Sequence, residues 1–436
     1  MLSTPSSSWA GCRRLPAPAR LWLLYALFFV AGVAQAAIVP LLPRLSGRFA
    51  LTATETALLL ALPGLATLAV SVPAGLAADR FGARRVTLTA GALLCVSSLA
   101  QATPSLAALM AGRVGFGVAY GVVWTTGMAW LSGLDTAAGG RGLGPSVTCS
   151  SVGIMVGPAV GGVLAELTGL AGPFVAVAGI TAAVVVPLAA GVPDGQRADD
   201  GDRARRPGGE GAGPGPNPVS RPALVALLRR PGVGAATGAL IVSGAVSGVS
   251  QLLISGGLHQ LGISTGQIGL AFSAAAVCYI AVSATVVRLG RRVHTLRFNA
   301  LATALLAVAL LPALAGAGVA ALFAALLFSA APRAAVSTIA YSLAASPDGA
   351  ERGDGLVFGL LNGAWAAAMV LMPLLAGALE QRGGMQAGYL AVIVPSCAVA
   401  AWLFARSGEG GSGGRGGSGG RRLRAWLRLR EVGPVS

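Results

Sequence analysis

The sequence predicts an all-α membrane protein, with twelve transmembrane helices in two pseudo-symmetric six-helix bundles. Three observations carry that expectation. Across 436 residues, 55% are hydrophobic and only 11% are charged, against roughly 25% charged in soluble domains. The charges are also confined: none lies between Glu55 and Asp79, and none between Arg85 and Arg113. A bilayer imposes that pattern, because a charge at its centre costs at least about 2.5 kcal/mol on insertion scales. Finally, the halves echo one another. Arg80-Phe-Gly-Ala-Arg-Arg85 closes the second apolar run and Arg288-Leu-Gly-Arg-Arg292 the eighth, while Gly157-Pro-Ala-Val-Gly-Gly162 in the fifth answers Met372-Pro-Leu-Leu-Ala-Gly377 in the eleventh. Parallel halves about an axis along the membrane normal are the architecture this implies.

In chain order, residues 1–19 form a polar cytoplasmic tail. The N-terminal bundle, 20–191, holds apolar runs at 20–43, 55–78, 86–103, 105–131, 143–168 and 172–191. The run after Arg20 is too long for a cleaved signal and reads as the first span. Residues 192–232, rich in Pro, Gly, Asp and Arg, bury too little apolar surface to fold and read as a flexible cytoplasmic tether. The C-terminal bundle, 233–405, holds runs at 233–260, 267–288, 294–315, 318–345, 355–379 and 385–405. Each run can cross a core of about 30 Å as a helix. In the basic tail, 406–436, Gly408–Gly420 reads as a linker. Beyond it, Arg421–Val432 sets Leu423, Trp426 and Leu427 on one face, which suits either a short helix on anionic lipid or a basic tail.

The net charge of +16 does not indicate nucleic acid, because the arginines sit between apolar runs rather than along one polar face. They report topology instead. With a cytoplasmic N-terminus, 26 arginines fall inside, and only Arg44, Arg48 and Arg382 fall outside. Both termini of a multi-pass cell-membrane protein are therefore expected in the cytoplasm. Cys12, Cys95, Cys149, Cys278 and Cys397 are scattered and odd in number, so neither a disulfide framework nor a metal site is expected. With only His259 and His294, and no phosphate-cradling loop, no catalytic constellation or cofactor site emerges, and the chain does not read as an enzyme. The partners expected are the lipid bilayer and a small-molecule cargo, with the chain acting as a monomer.

Gly75, Asp79, Arg80, Gly82, Arg84 and Arg85 suit a tight, arginine-flanked reversal at an anionic leaflet. Their spacing resembles the signature loop between the second and third helices of major facilitator superfamily transporters, filling every specified place. Gly153, Gly157, Pro158, Gly161 and Gly162 combine small residues four apart with a helix-bending proline. This stretch resembles the antiporter signature of drug and metabolite exporters in that superfamily. The resemblance implies alternating access and export. It also implies that Asp79 faces the N-terminal end of a second-half helix, near Asp354 and Gly355, when the cytoplasmic side is closed.

Arg113 and Arg333 are intramembrane charges, functional by default. Arg113 resembles the start of a family motif in the fourth helix, but Phe116 replaces its glutamine; snorkelling or pairing with backbone carbonyls is the alternative. Arg333 is expected as its opposite number. No acid lies mid-run; Glu166, Glu380 and His259 are the nearest titratable candidates for proton coupling, all near outer ends. Gln35, Tyr120, Trp124, Thr125, Gln251, Tyr279, Asn362 and Trp365 form a mostly apolar set with few polar groups, suited to an amphipathic organic molecule. The function expected is secondary export of such a compound. Import of a nutrient or organic anion, or sensing without transport, are the alternatives.

Overall fold

A computed structural model describes residues 17–135, 143–190, 231–316, 318–344 and 354–412. Among these there is no strand. The helices are α1 (Ala17–Ala37), α2 (Leu42–Phe49), α3 (Ala53–Phe81), α4 (Ala83–Ala102), α5 (Leu106–Asp135), α6 (Leu143–Thr168) and α7 (Gly172–Ala190). The second half contains α8 (Pro231–Val249), α9 (Ser255–Gln260), α10 (Thr265–Leu289), α11 (Leu296–Ala309), α12 (Leu311–Leu314), α13 (Val319–Ala344) and α14 (Asp354–Ser412).

Local chemistry sets the helix ends. Thr52 and Ser264 cap α3 and α10 through reciprocal bonds with Glu55 and Gln267, which supply orphan amides with partners. At the other ends of these two helices, Gly82 and Gly290 take φ of 85° and 57°, a conformation that costs glycine little. The two echoing arginine turns thus share a backbone device. Gly75 does not belong to it: it lies inside α3, so only one of the two glycines makes the reversal expected of both.

Among the described residues, eleven helical stretches are long and apolar enough to cross a membrane. The last is two crossings. At 59 residues, α14 would run about 89 Å if straight, but Gly384 breaks it at φ 72°, ψ 179°. A methyl group on Gly388 would stand 3.3 Å from the Ala376 carbonyl, so the chain has folded back on itself. The segments either side of Gly384 match the expected eleventh and twelfth runs.

Some boundaries moved. The first run was expected to end at Pro43, yet it continues through a 3-10 turn, Val39–Leu41, into α2. Pro40 and Pro43 lack the amides an unbroken helix needs but are accepted in the first turn of a new one. Arg44 and Arg48, expected in a loop, are therefore helical, and Arg44 donates to the Ala165 carbonyl at 3.0 Å. The expected linker Gly408–Gly420 is helical as far as Ser412. The rest of the C-terminal tail, nearly all of the tether and N-terminal tail, and the turn with Arg141 lie outside the described residues.

Helices α1, α3, α4, α5 and α7 close around Leu27, Phe28, Leu94, Phe116 and Val123, and α6 packs along α1. Helices α8–α14 close around Val246, Leu253, Ile268, Leu306 and Tyr389. The two bundles meet mainly along two seams, α3 against α14 and α6 against α10.

Candidate functional site

By crossing order, the Gly82 and Gly290 turns emerge on one face, here the arginine face. The turns at 50–52, 169–171, 261–264 and 384 emerge on the far face. Both seams are sealed at the far face. Along α3, a methyl on Gly64 would meet Val370 Cγ2 at 2.5 Å, and one on Gly377 would meet the Ala53 carbonyl at 2.8 Å. Along the other seam, Gly162 abuts the Thr265 carbonyl and Gly269 abuts the Pro158 carbonyl. Ala159 donates its amide to the Ser273 hydroxyl at 3.0 Å.

Toward the arginine face the same stripes come apart. The α3 stripe that is buried at Ala57 and Ala61 reaches Val72 at 73% exposure, and the α10 stripe reaches Val287 at 61%. Residues three or four apart share a helix face, so these are one stripe each, packed at one end and bare at the other. The bundles are splayed open between them on the arginine face. Asp79 and Gly75 continue the α3 stripe, and a methyl on Gly75 would meet only open space. Asp79 and Arg80 are exposed, Arg80 stacking over Phe81 at 5.2 Å, while Arg84 donates to the Ala189 carbonyl at 3.3 Å. The Asp354 and Gly355 side of the expected contact lies outside the described side chains.

On the sealed side a carboxylate bridges the seam. Glu166, at the C-terminal end of α6, accepts the Gly266 amide at 2.8 Å and lies beside Ser264, the cap of α10. A carboxylate at a helix N-terminus meets free amides and the positive end of the helix dipole, worth about 0.3–2 kcal/mol. Glu166 was singled out as a titratable group, but the sequence showed nothing of its docking partner, because that partner is backbone.

The glycines of α6 divide their work. Gly153, Gly157 and Gly161 lie against the α1 backbone, with a methyl on Gly157 placed 2.8 Å from the Val33 carbonyl. Of the five signature residues, Gly162 and Pro158 face the other bundle, beside Ala159. The eleventh span shows the reverse arrangement: Gly244 and Gly248 of α8 approach Trp365, Met369 and Pro373 of α14.

The two intramembrane arginines differ in depth and setting. Arg113 is the eighth residue of α5 and Arg333 the fifteenth of α13, so they are not opposite numbers; the fifteenth residue of α5 is Tyr120. Arg113 is 1% exposed and donates Nε to the Leu59 carbonyl at 3.0 Å, the backbone pairing that was the alternative for it. Pro63 has no amide to return to Leu59 four residues back, so the arginine occupies the acceptor that the proline leaves free. Its guanidinium also lies 5.4 Å from the Phe116 ring, where the family motif has glutamine. Arg333 is half-buried, donates to the Ser247 hydroxyl at 3.2 Å and stands 5.5 Å from the Tyr279 ring.

From Arg113 an aromatic ladder continues through Phe116, Tyr120 and Trp124 to Phe28 of α1, at ring separations of 5.8, 6.3 and 5.3 Å. Phe28 and Phe116 were missed, though the four-residue spacing of 116, 120 and 124 signals one face. Thr125 points its hydroxyl to the Gly121 carbonyl at 2.9 Å. Gln35 is half-buried on α1, and Gln251 occupies a π turn, Ser250–Ile254, between α8 and α9. In the second half, Tyr341 donates to Asn362 at 2.5 Å and Thr338 to Ser283 at 3.3 Å. Trp365 packs beside the core containing Leu361 and Val357. The candidate residues thus divide four to each bundle, and each four holds two aromatic and two polar side chains.

Similarity to known proteins follows the same lines. The sequence profile of the Major Facilitator Superfamily matches residues 24–259. MFS-type transporter ppzB of Metarhizium majus is 37% identical over 106 residues, which is 24% of this chain and 23% of that protein. The uncharacterized MFS-type transporter C18.02 of Schizosaccharomyces pombe is 34% identical over 116 residues, 26% and 25% of the two chains. The chain therefore matches about a quarter of the length of these relatives. Among solved structures, a bacterial homolog of the human lysosomal transporter Spinster, inward-facing and unoccupied, aligns with TM-score 0.69 at 14% identity, covering 92% of this chain and 98% of that one. The nucleoside transporter NupG aligns at 0.65 and 12% identity, covering 89% and 98%. With two bundles, two seams and a profile match across more than half its length, this chain belongs to the Major Facilitator Superfamily, a family of membrane transporters and not of enzymes.

Proposed function

We propose that the protein exports a small amphipathic organic compound across the cell membrane by alternating access, its two bundles rocking about a shared cavity. The observation that carries this reading is the pair of seams, each packed on the far half and bare on the arginine half. The arginine bias makes the open face cytoplasmic, with both termini on that side. The direction rests on the Gly153–Gly162 stretch and its likeness to the exporter signature. Pro158 lies inside α6 where it meets α10, and the backbone hydrogen bond it removes suits a pivot there.

The mechanism follows from two carboxylates in related places. Glu166 holds the far face shut on the α10 N-terminus. Asp79, on the α3 stripe, is the corresponding group for the arginine face, with the N-terminus of α14 as its target. Gly75, one turn earlier on that stripe, leaves room for α14 to close in. Neither latch exceeds a few kcal/mol, so cargo contacts can shift the balance between the two states.

The test is flux of a panel of amphipathic compounds in energised vesicles, with the pH gradient collapsed as the comparison. Outward-directed flux supports export, and its loss on collapsing the gradient adds proton coupling. Uptake only would replace export with import; binding without movement would indicate a sensor. Asp79→Asn is expected to reach the membrane at wild-type levels and lose most of its flux. Undiminished flux in that variant would remove the gate role.

A further inference from the structure

We propose that the second bundle carries a binding site for an anionic head group, carboxylate or sulfonate, with Arg333 as the residue that takes it. This rests on the transport reading and narrows its cargo to amphipathic organic anions.

The argument begins with where Arg333 points. It lies on the stripe of α13 shared with Leu326, Ser329 and Ala340, all buried, whereas the opposite side of the helix bears Phe328 at 69% exposure. An arginine on the inner stripe that is still partly exposed owes that exposure to the space between the bundles, not to lipid. Its partners are then too few. A guanidinium carries five N–H donors, and among the described residues Arg333 spends one, on Ser247, while its face rests on Tyr279. No carboxylate among the described residues acts on it; its electrostatic neighbours are Tyr279 and Cys278. Arg113 shows the contrasting case, an arginine sealed at 1% exposure and committed to a backbone carbonyl. Of these two intramembrane arginines, Arg333 is the one whose remaining donors lie in a partly exposed side chain.

Its surroundings are built for a polar group. Ser247, Tyr279 and Arg333 come from three different helices, α8, α10 and α13, so the guanidinium is fixed from two sides. The pseudo-symmetric place in the first bundle is Tyr120, followed one turn later by Trp124. A cation in one wall and aromatic rings at the same depth in the other recognise a molecule with an anionic end and an aromatic or aliphatic body.

The probes are 2-naphthoate and its neutral counterpart 2-naphthamide, titrated against the detergent-purified protein by calorimetry. A charge-assisted bond in a half-buried site predicts that naphthoate binds roughly tenfold tighter or better. Arg333→Gln is expected to erase that preference, bringing naphthoate affinity down to that of naphthamide, and Arg333→Lys to keep part of it. Trp124→Leu should weaken both probes alike. Equal affinity for the two probes in the wild type, no binding of naphthoate, or a preference that survives Arg333→Gln would overturn the site. If Arg333→Gln does not purify as a folded protein, Ser247→Ala, expected to reduce the preference severalfold, takes its place, and an unchanged preference overturns the proposal. Naphthoate flux in proteoliposomes separates the two readings: discrimination without flux removes transport and keeps the site, and flux without discrimination does the reverse.

Discussion

Arg113 and Leu59, 54 residues apart in sequence, share a hydrogen bond that a third residue makes available. Pro63 cannot donate to the Leu59 carbonyl, and in an apolar interior an unmet acceptor costs about 1–3 kcal/mol. Arg113→Met is therefore expected to lower thermal stability in detergent by that order. Pro63→Ala returns an amide to the helix, so the double variant should lose less than the sum of the single losses; strict additivity in thermal melts would remove the proposed coupling. Sequence showed the arginine and the proline separately. It did not show the pair, because helix neighbours are set by tertiary packing and the acceptor is a backbone atom with no residue signature. Gly75 was misplaced for a related reason. A glycine's use, in a turn or in close approach, is not written in its identity, and here it lies on a seam.

At the scale of helices, apolar length was legible because the bilayer demands it, and the expected runs fall within a few residues of the observed spans. Interruptions were less legible. Pro40 and Pro43 lie in a run that reads as continuous, and the π turn holding Gln251 has no composition of its own. Helix-to-helix docking is the layer that sequence left open, as Glu166 shows. Glu166→Gln keeps the shape but removes the charge at the α10 N-terminus, and should shift the balance away from far-face closure by about two- to fivefold. The check is impermeant-maleimide labelling of a cysteine placed at Ala159, on the seam, applied from the far side. Unaltered labelling would leave Glu166 as a surface charge.

For the whole molecule, the seams predict an accessibility map. In a background without the native cysteines, Val72→Cys and Val287→Cys should label rapidly from the arginine face, and Thr265→Cys, buried at the far seam, should be protected. Bound cargo that favours closure of the arginine face would slow the first two. The two-bundle architecture was legible because the duplicated turns and the proline-containing segments at Pro158 and Pro373 survive in both halves. Which face stands open was not, since both states use the same residues and differ only in which ends of the stripes touch.

The far-face latch has a genetic corollary. Its partner is the Gly266 amide, an atom every non-proline codon would supply. No charge reversal at a partner site can rescue a Glu166 allele, so second-site suppressors should not reconstruct the contact. They should map to mutations that rebalance the opposing end of the protein, Asp79 and the arginine turn among them.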